Sequence, residues 1–306
     1  MTTTGGPPEV AVTVPATSAN LGPGFDSLGL ALDLRDEVRV RVVAGDGPPV
    51  AVEVEGEGAA TLPRDESHLV VRSAFAAFAD LGVPAPRLAL QCTNRIPHGR
   101  GLGSSAAAVV AGVLAARALA GAVDEPGRTA SLAVSTVLEG HPDNAAAALL
   151  GGLTIAWSDG GVPRAVRVEP SPRLSATVLV PAAELATTTA RGLLPASVPH
   201  ADAAHAAGRS ALLVEALTRR PDLLLPATED RLHQTQRAPA MPATADLVAR
   251  LRAEGLAAVV SGAGPSVLVL ADVDDDSSAR LAGDLADRVA GWRVLQLPVA
   301  GAATVS

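Results

Sequence analysis

Apolar and polar positions alternate along the first part of the chain. VAVTV (10–14), EVRVRVV (37–43) and VAVEVEG (50–56) carry a β-branched or small apolar residue at about every second place, the period of a strand with one buried face. In RVRVV the charges alternate with Val, so the other face is wet. The period becomes helical over residues 67–81, where Val70, Ala74, Phe78 and Leu81 share one stripe. A strand over 87–92 leads into a glycine-rich loop at 97–103, and an Ala-rich helix is predicted over 104–121. Another helix is expected at 127–138, ending near Gly140, and Gly151 and Gly152 introduce the strand LTIAW at 153–157.

The texture shifts near residue 165. LSATVLV (174–180) reads as a strand, followed by a long helical stretch broken by Pro195, Pro199, Pro221, Pro226, Pro239 and Pro242. A strand–helix–strand rhythm closes the chain: LAAVVSG (256–262), SVLVLAD (266–272), a helix over 276–290, and WRVLQLP (292–298). Residues 1–8 read as a loose tail. The expectation is an α+β protein in two halves, 9–165 and 166–306.

Composition narrows the chemistry. The 306 residues are 48% hydrophobic but only 2% aromatic, which disfavours stacking on nucleic-acid bases because there are almost no rings. A net charge of −8 disfavours a general basic surface for phosphate backbones or anionic membranes, while leaving room for a local anion site. There is no Lys; all 24 basic residues are Arg. A Walker A loop, a protein-kinase strand Lys and a Schiff-base Lys are therefore all excluded. The single Cys92 permits no internal disulfide and reads as a small buried hydrophobe. MTTTGGPPEV has neither a basic leader nor an apolar core, and the longest apolar stretch (106–123) contains Arg117, so a cytoplasmic protein without a membrane span is expected.

Three glycine-rich segments stand out. PHGRGLGSSAA (97–107) places permissive glycines directly before two Ser and a strong helix former. Its backbone can approach a ligand closely, and the helix behind it offers unpaired N–H groups, so the loop suits an anion; an ordinary turn with a Ser N-cap would use the same residues. VPATSANLGPGFDSLGLALDL (14–34) is too rich in Gly, Asn and Pro at its centre for regular structure, yet sets Asn20 and Asp26 beside apolar LGLAL, as a pocket wall would. VVSGAGPSVLVL (259–270) reads as strand, tight turn, strand.

In chain order these segments resemble the signature motifs of the GHMP kinases. PHGRGLGSSAA is similar to the family's phosphate-binding loop and SGAGPSVLVL to its C-terminal glycine-rich motif. PATSANLGPGFDSLGLAL and EGHPDNAAAALLGG (139–152) resemble the opening motif and the H-x-D-N block of the homoserine kinase branch. The resemblance spans residues 10–272. It implies a two-domain GHMP kinase fold, with an N-terminal domain like ribosomal protein S5 domain 2 and a ferredoxin-like C-terminal domain. The implied activity is ATP-dependent phosphorylation of the L-homoserine hydroxyl in threonine biosynthesis; another small-alcohol kinase or an inactive ligand sensor is the alternative.

The resemblance also implies residue roles. ATP would contact Pro97, His98, Gly99, Arg100, Gly101, Leu102, Gly103, Ser104, Ser105, Ala106 and Ala107, together with Gly262 and Gly264. Ser105 and Glu139 would hold Mg²⁺. Homoserine carries an ammonium, a carboxylate and a hydroxyl: Asp26 with Asn20 would meet the first. Arg191, in TTTARGLLP, and Arg237, in QRAPAMP, would meet the second. His141 and Asn144 would line the pocket near the hydroxyl. Asp143 falls where sister kinases carry a catalytic Asp, and whether it serves as a base stays open, because phosphoryl transfer asks little of one. The partners implied are ATP and L-homoserine, with neither nucleic acid nor membrane, and a homodimer is left open.

Overall fold

The computed structural model describes residues 8–122, 128–273 and 291–306. Among these residues the strands form two sheets. The first has seven: β1 (Glu9–Ala19), β2 (Leu28–Val42), β3 (Val50–Gly56), β4 (Leu88–Asn94), β5 (Leu153–Asp159), β6 (Val162–Val168) and β11 (Thr304–Val305). Its spatial order is β11-β1-β2-β4-β3, with β5 and then β6 beside the opposite end of β2. All its pairs are antiparallel except β3 with β4. The second sheet orders β7 (Leu174–Pro181), β8 (Ala257–Val260), β9 (Val267–Asp272) and β10 (Trp292–Leu297) as β10-β7-β9-β8, all antiparallel.

Long β2 explains how one ribbon serves two neighbours. Val38 and Val40 face the core while Arg39 and Arg41 face solvent, the alternation read from the sequence. Its first residues, Leu28 to Leu30, pair with β5, and Glu37 to Val42 pair with β4. The β1–β2 register shifts between Pro15 and Ala16, where proline has no N–H to give the ladder. TSA at 17–19, expected inside an irregular loop, continues β1; only residues 20–27 turn.

α1 (Leu69–Asp80) packs on α2 (Ser104–Leu119), which together with α3 (Thr129–Glu139) and α4 (Asp143–Leu150) adjoins the first sheet. Eleven of the sixteen residues of α2 are buried, so it is a central helix rather than a half-exposed one. Small side chains make that possible: a Cβ at Gly112 would overlap the Val70 carbonyl, so α1 and α2 touch backbone to side. α4 escaped the sequence reading because eight Ala-rich residues leave too short a stripe to show periodicity.

The expected partition at 165/166 falls inside β6, which pairs with β5 through Val168. The chain's end also rejoins the first sheet. Ala11 and Ser306 exchange backbone hydrogen bonds, Ala303 N–H donates to Ala148, and Arg128 donates to the Leu149 and Ala303 carbonyls. This terminal clasp holds α4 against β1. The helix expected at 276–290 lies outside the described residues.

The second sheet is accompanied by α5 (Thr187–Gly192), α6 (His200–Thr218), α7 (Leu224–Ala227), α8 (Gln234–Arg237) and α9 (Pro242–Ala253). Pro195, Pro199, Pro221, Pro239 and Pro242 fall between or at the starts of these helices, whereas Pro226 lies inside α7 and no proline separates α7 from α8. Among the described residues no helix is long and apolar enough to cross a membrane.

Candidate active site

The three glycine-rich segments, far apart in the chain, are pinned to one another. Thr17 N–H donates to the Leu102 carbonyl at 3.0 Å, and Gly262 N–H to the Ala19 carbonyl at 3.1 Å. Ser261 Oγ donates to the Gly101 carbonyl at 2.7 Å and lies 2.9 Å from Ser18 Oγ. Gly101 must lack a side chain, because its φ is +70° and a Cβ would overlap the Ser261 carbonyl. Gly103, with φ +69°, caps α2, and a Cβ there would overlap the Thr17 hydroxyl. No side chain caps α2, so the Ser N-cap alternative is not what forms. Gly103, Ser104 and Ser105, at the helix start where amides lack intrahelical acceptors, line a cleft instead.

That cleft, about 150 Å³, is lined by Gly99, Gly101, Gly103, Ser104 and Ser105 on one side and by Asp143, Asn144, Arg191 and Arg237 on another. Ser105 Oγ donates to Glu139 at 2.5 Å, bringing the start of α2 to the end of α3. Burial pushes the Glu139 pKa up, against the Ser105 hydrogen bond. A desolvated carboxylate paired with a neutral hydroxyl is a pair of hard oxygen donors in want of positive charge, and a divalent cation fits it.

Asp143 is 2% exposed. Its Oδ1 accepts from the Asn144 N–H at 2.7 Å and from Asn144 Nδ2 at 3.3 Å, and stands 3.0 Å from His141 Nδ1. The hydrogen bond to Asp143 raises the His141 pKa, against the opposing effect of burial. Thr17 Oγ1 donates to Asn144 Oδ1 at 2.8 Å, fixing which way that amide points.

Asp26 and Arg191 form a two-pronged ion pair, 2.6 and 3.2 Å, with both side chains about a third exposed. Asn20, Leu21 and Asp26 all have positive φ, at 68°, 51° and 55°, in one short turn. Non-glycine residues hold that conformation only where the surroundings over-determine it, and such strain gathers at functional sites. Asn20 supplies the fastening: its Nδ2 donates to the Gly262 carbonyl at 2.8 Å and its Oδ1 accepts the Asp26 N–H at 3.0 Å. Phe25 lies under both guanidinium groups, 5.8 Å from Arg191 and 5.4 Å from Arg237. Arg237 is 1% exposed and donates to the Gly262 carbonyl, with His233 Nδ1 at 3.1 Å.

Among the family models, "GHMP kinases N terminal domain" matches residues 68–152 and "GHMP kinases C terminal" matches residues 205–286. A homoserine kinase of Streptomyces avermitilis is 58% identical over 293 residues, covering 94% of this chain and 92% of that protein. One from Streptomyces coelicolor is 60% identical over 276 residues, covering 90% and 88%. The chain belongs to the homoserine kinases of the GHMP kinase family. The crystal structure of a homoserine kinase from Cytophaga hutchinsonii superposes with a TM-score of 0.85 at 27% identity, covering both chains fully. The two-domain GHMP kinase fold expected from the motifs is therefore the fold found.

Within this homoserine kinase framework the cleft gathers most of the residues named from sequence, and leaves some aside. Gly99, Gly101, Gly103, Ser104, Ser105, Gly262, Asn20, Glu139, His141, Asp143, Asn144, Arg191 and Arg237 line it. Pro97, Leu102 and Ala106 are buried behind the loop, and Gly264 packs against Met241, so none of the four lines the cleft. Asp26 is not in the lining either and adjoins it through its ion pair with Arg191. Arg100 turns away, with its guanidinium on the Pro181, Ala182 and His98 carbonyls and on Glu184. His98 and Ala107 line a second cavity beside the loop. Sequence reasoning missed Thr17, Phe25, Ala263 and the run Leu185 to Thr187, all at or next to the cleft. Thr187 opens the TTTAR block that drew attention to Arg191, but nothing in its spacing shows which residues face inward.

Proposed function

We infer that this chain transfers the terminal phosphoryl group of ATP to the hydroxyl of L-homoserine, giving O-phospho-L-homoserine, a step of threonine biosynthesis. One observation carries the reading. A single cleft is lined by both an anion-seeking helix start and Arg191, and the Asp26 carboxylate bound to Arg191 sets beside it the opposite charge that an amino acid needs.

The backbone N–H groups from Gly99 to Ser105, with the positive end of α2 behind them, would cradle the phosphates. Ser105 and Glu139 would hold Mg²⁺, which when bound neutralises charge on the phosphate oxygens. Arg191, helped by Arg237, would take the substrate carboxylate and Asp26 the ammonium. The hydroxyl would then lie toward Asn144 and Asp143, oriented by Thr17 and His141. Positioning and charge stabilisation of this kind account for most phosphoryl-transfer catalysis. An ADP-release assay with homoserine, threonine and mevalonate side by side tests the substrate. Homoserine should lead in kcat/KM, and parity with mevalonate would refute the reading.

Asp143 is the candidate base, but its Oδ1 already serves His141 and Asn144. Asn at this position keeps an Oδ1 acceptor and loses basicity. For Asp143→Asn we expect kcat to fall by less than about tenfold, roughly 1.4 kcal/mol. A larger loss with the fold intact would establish the base role.

The second cavity, about 200 Å³, shares Ser104 and Ser105 with the cleft and is walled by Val38, Leu62, Leu69 and Val70. His68 lines it, 4% exposed, with neither ring nitrogen hydrogen-bonded to any of the described residues. Burial lowers its pKa, with Arg64 and His98 adding to the effect, so the ring is neutral and offers one donor and one acceptor. That set complements the amino donor and ring-nitrogen acceptors of adenine. His68→Ala should raise KM for ATP about 5- to 10-fold and leave KM for homoserine unchanged. An equal rise in both would remove His68 from the base pocket.

A further inference from the structure

Arg100 sits in the middle of the phosphate loop, yet its side chain spans away from the cleft. Nε donates to the Pro181 carbonyl at 3.0 Å and Nη2 to the Ala182 carbonyl at 2.8 Å. Nη1 donates to the His98 carbonyl at 2.8 Å and to Glu184 at 3.1 Å. One planar fork therefore fastens the loop to the end of β7 and to the segment that follows. A second tie lies alongside, where Leu185 N–H donates to the Gly99 carbonyl at 2.9 Å. The same segment then lines the cleft at Leu185, Ala186 and Thr187 and runs into α5, which bears Arg191.

We propose that Arg100 is a positioning residue that couples the two halves of the site, carrying order from the phosphate loop to the segment that presents Arg191. The proposal rests on the loop binding nucleotide phosphates, as read above. The carbonyl bonds carry the tie, because Glu184 is 64% exposed and an ion pair so open to water contributes little. A guanidinium reaches carbonyls in several fixed directions at once, which a Lys ammonium on a flexible stem does not reproduce. When nucleotide holds the loop, residues 181–192 lose freedom with it, and by linkage homoserine binds more tightly to the nucleotide-bound enzyme. Arg100 thus acts on the carboxylate end of the substrate without touching it.

Hydrogen–deuterium exchange on the full chain tests this with Mg²⁺ and a non-hydrolysable ATP analogue alone, homoserine being left out. In the parent protein, amides of 97–107 and of 182–192 should both slow, the latter at least about fivefold, the lower end of typical coupling between sites. In Arg100→Ala at saturating analogue the loop should still slow while the slowing of 182–192 falls well below the parent's, the Leu185–Gly99 backbone bond being what is left of the tie. Arg100→Lys should behave like Arg100→Ala and guards against misfolding of the smaller variant; Glu184→Gln should keep the protection. The proposal is overturned if 182–192 stays unprotected in the parent while the loop is protected, or if Arg100→Ala protects it equally. A rise in KM for ATP with protection retained would make Arg100 a phosphate ligand instead. Absence of homoserine-dependent ADP release with the protection pattern intact would sink the proposed substrate and leave the coupling standing.

Discussion

Replacing Arg191 by Ala is expected to lower kcat/KM for homoserine about 100-fold and to change KM for ATP little. The guanidinium holds Asp26 with two charge-assisted bonds of 2.6 and 3.2 Å. Such bonds contribute about 1.5–3 kcal/mol each, and roughly 2.8 kcal/mol corresponds to 100-fold. Arg237 keeps only its own share of the carboxylate and does not replace the lost fork, because its Nη1 is committed to the Gly262 carbonyl and His233. The loss also leaves Asp26 without its cationic partner, so the ammonium end of the substrate is held by a less ordered carboxylate. Arg191→Lys keeps the charge but not the fork and should fall between the two. Steady-state kinetics in both substrates decides it: a drop below fivefold would take Arg191 out of the carboxylate site.

Glu139→Gln is expected to cut kcat about 100-fold at ordinary Mg²⁺ and to shift the Mg²⁺ requirement upward. The amide keeps the shape and can still meet the Ser105 hydroxyl, which Glu139 now accepts at 2.5 Å. What it loses is the negative charge that a divalent ion needs in a partly buried site. Ser105→Ala removes a neutral oxygen and should cost less. A Mg²⁺ titration of the rate separates the outcomes. Partial rescue at high Mg²⁺ supports a metal ligand; a kcat within threefold of the parent with an unshifted titration would show that Glu139 is only a helix-end carboxylate.

Period and punctuation alone revealed most of the elements that carry the site. VAVEVEG coincides with β3, the break after PHGRGLG marks the start of α2, and Pro195, Pro199, Pro221 and Pro242 fall where the helical stretch is divided, though Pro226 does not. These succeed because side-chain period follows directly from backbone geometry, and because Gly and Pro restrict φ locally. β6, with its register partners on β5, was not legible: VPRAVRV is exposed on an edge, so burial imposes no clear alternation. The two-residue β11 is too short for any pattern and is set by its pairing with Val12 and Thr13 of β1 and by the Ala11–Ser306 bonds beside it.

The site divides the same way. The sequence by itself determined that lysine-dependent ATP scaffolds are impossible, that 97–105 suits an anion, and that the ordered motifs belong to the GHMP kinases. Those conclusions rest on residue chemistry and chain order, which folding does not alter. Only the tertiary structure decided what each side chain does with its neighbours. Arg100 reads as a phosphate contact until its fork is found on Pro181 and Ala182. Asn20 reads as a substrate ligand until its amide is found bridging Gly262 and Asp26. His68 becomes conspicuous only as a buried ring whose nitrogens find no partner among the described residues. A polar side chain reaches only a few ångströms, so what it binds depends on distant segments that the fold brings near.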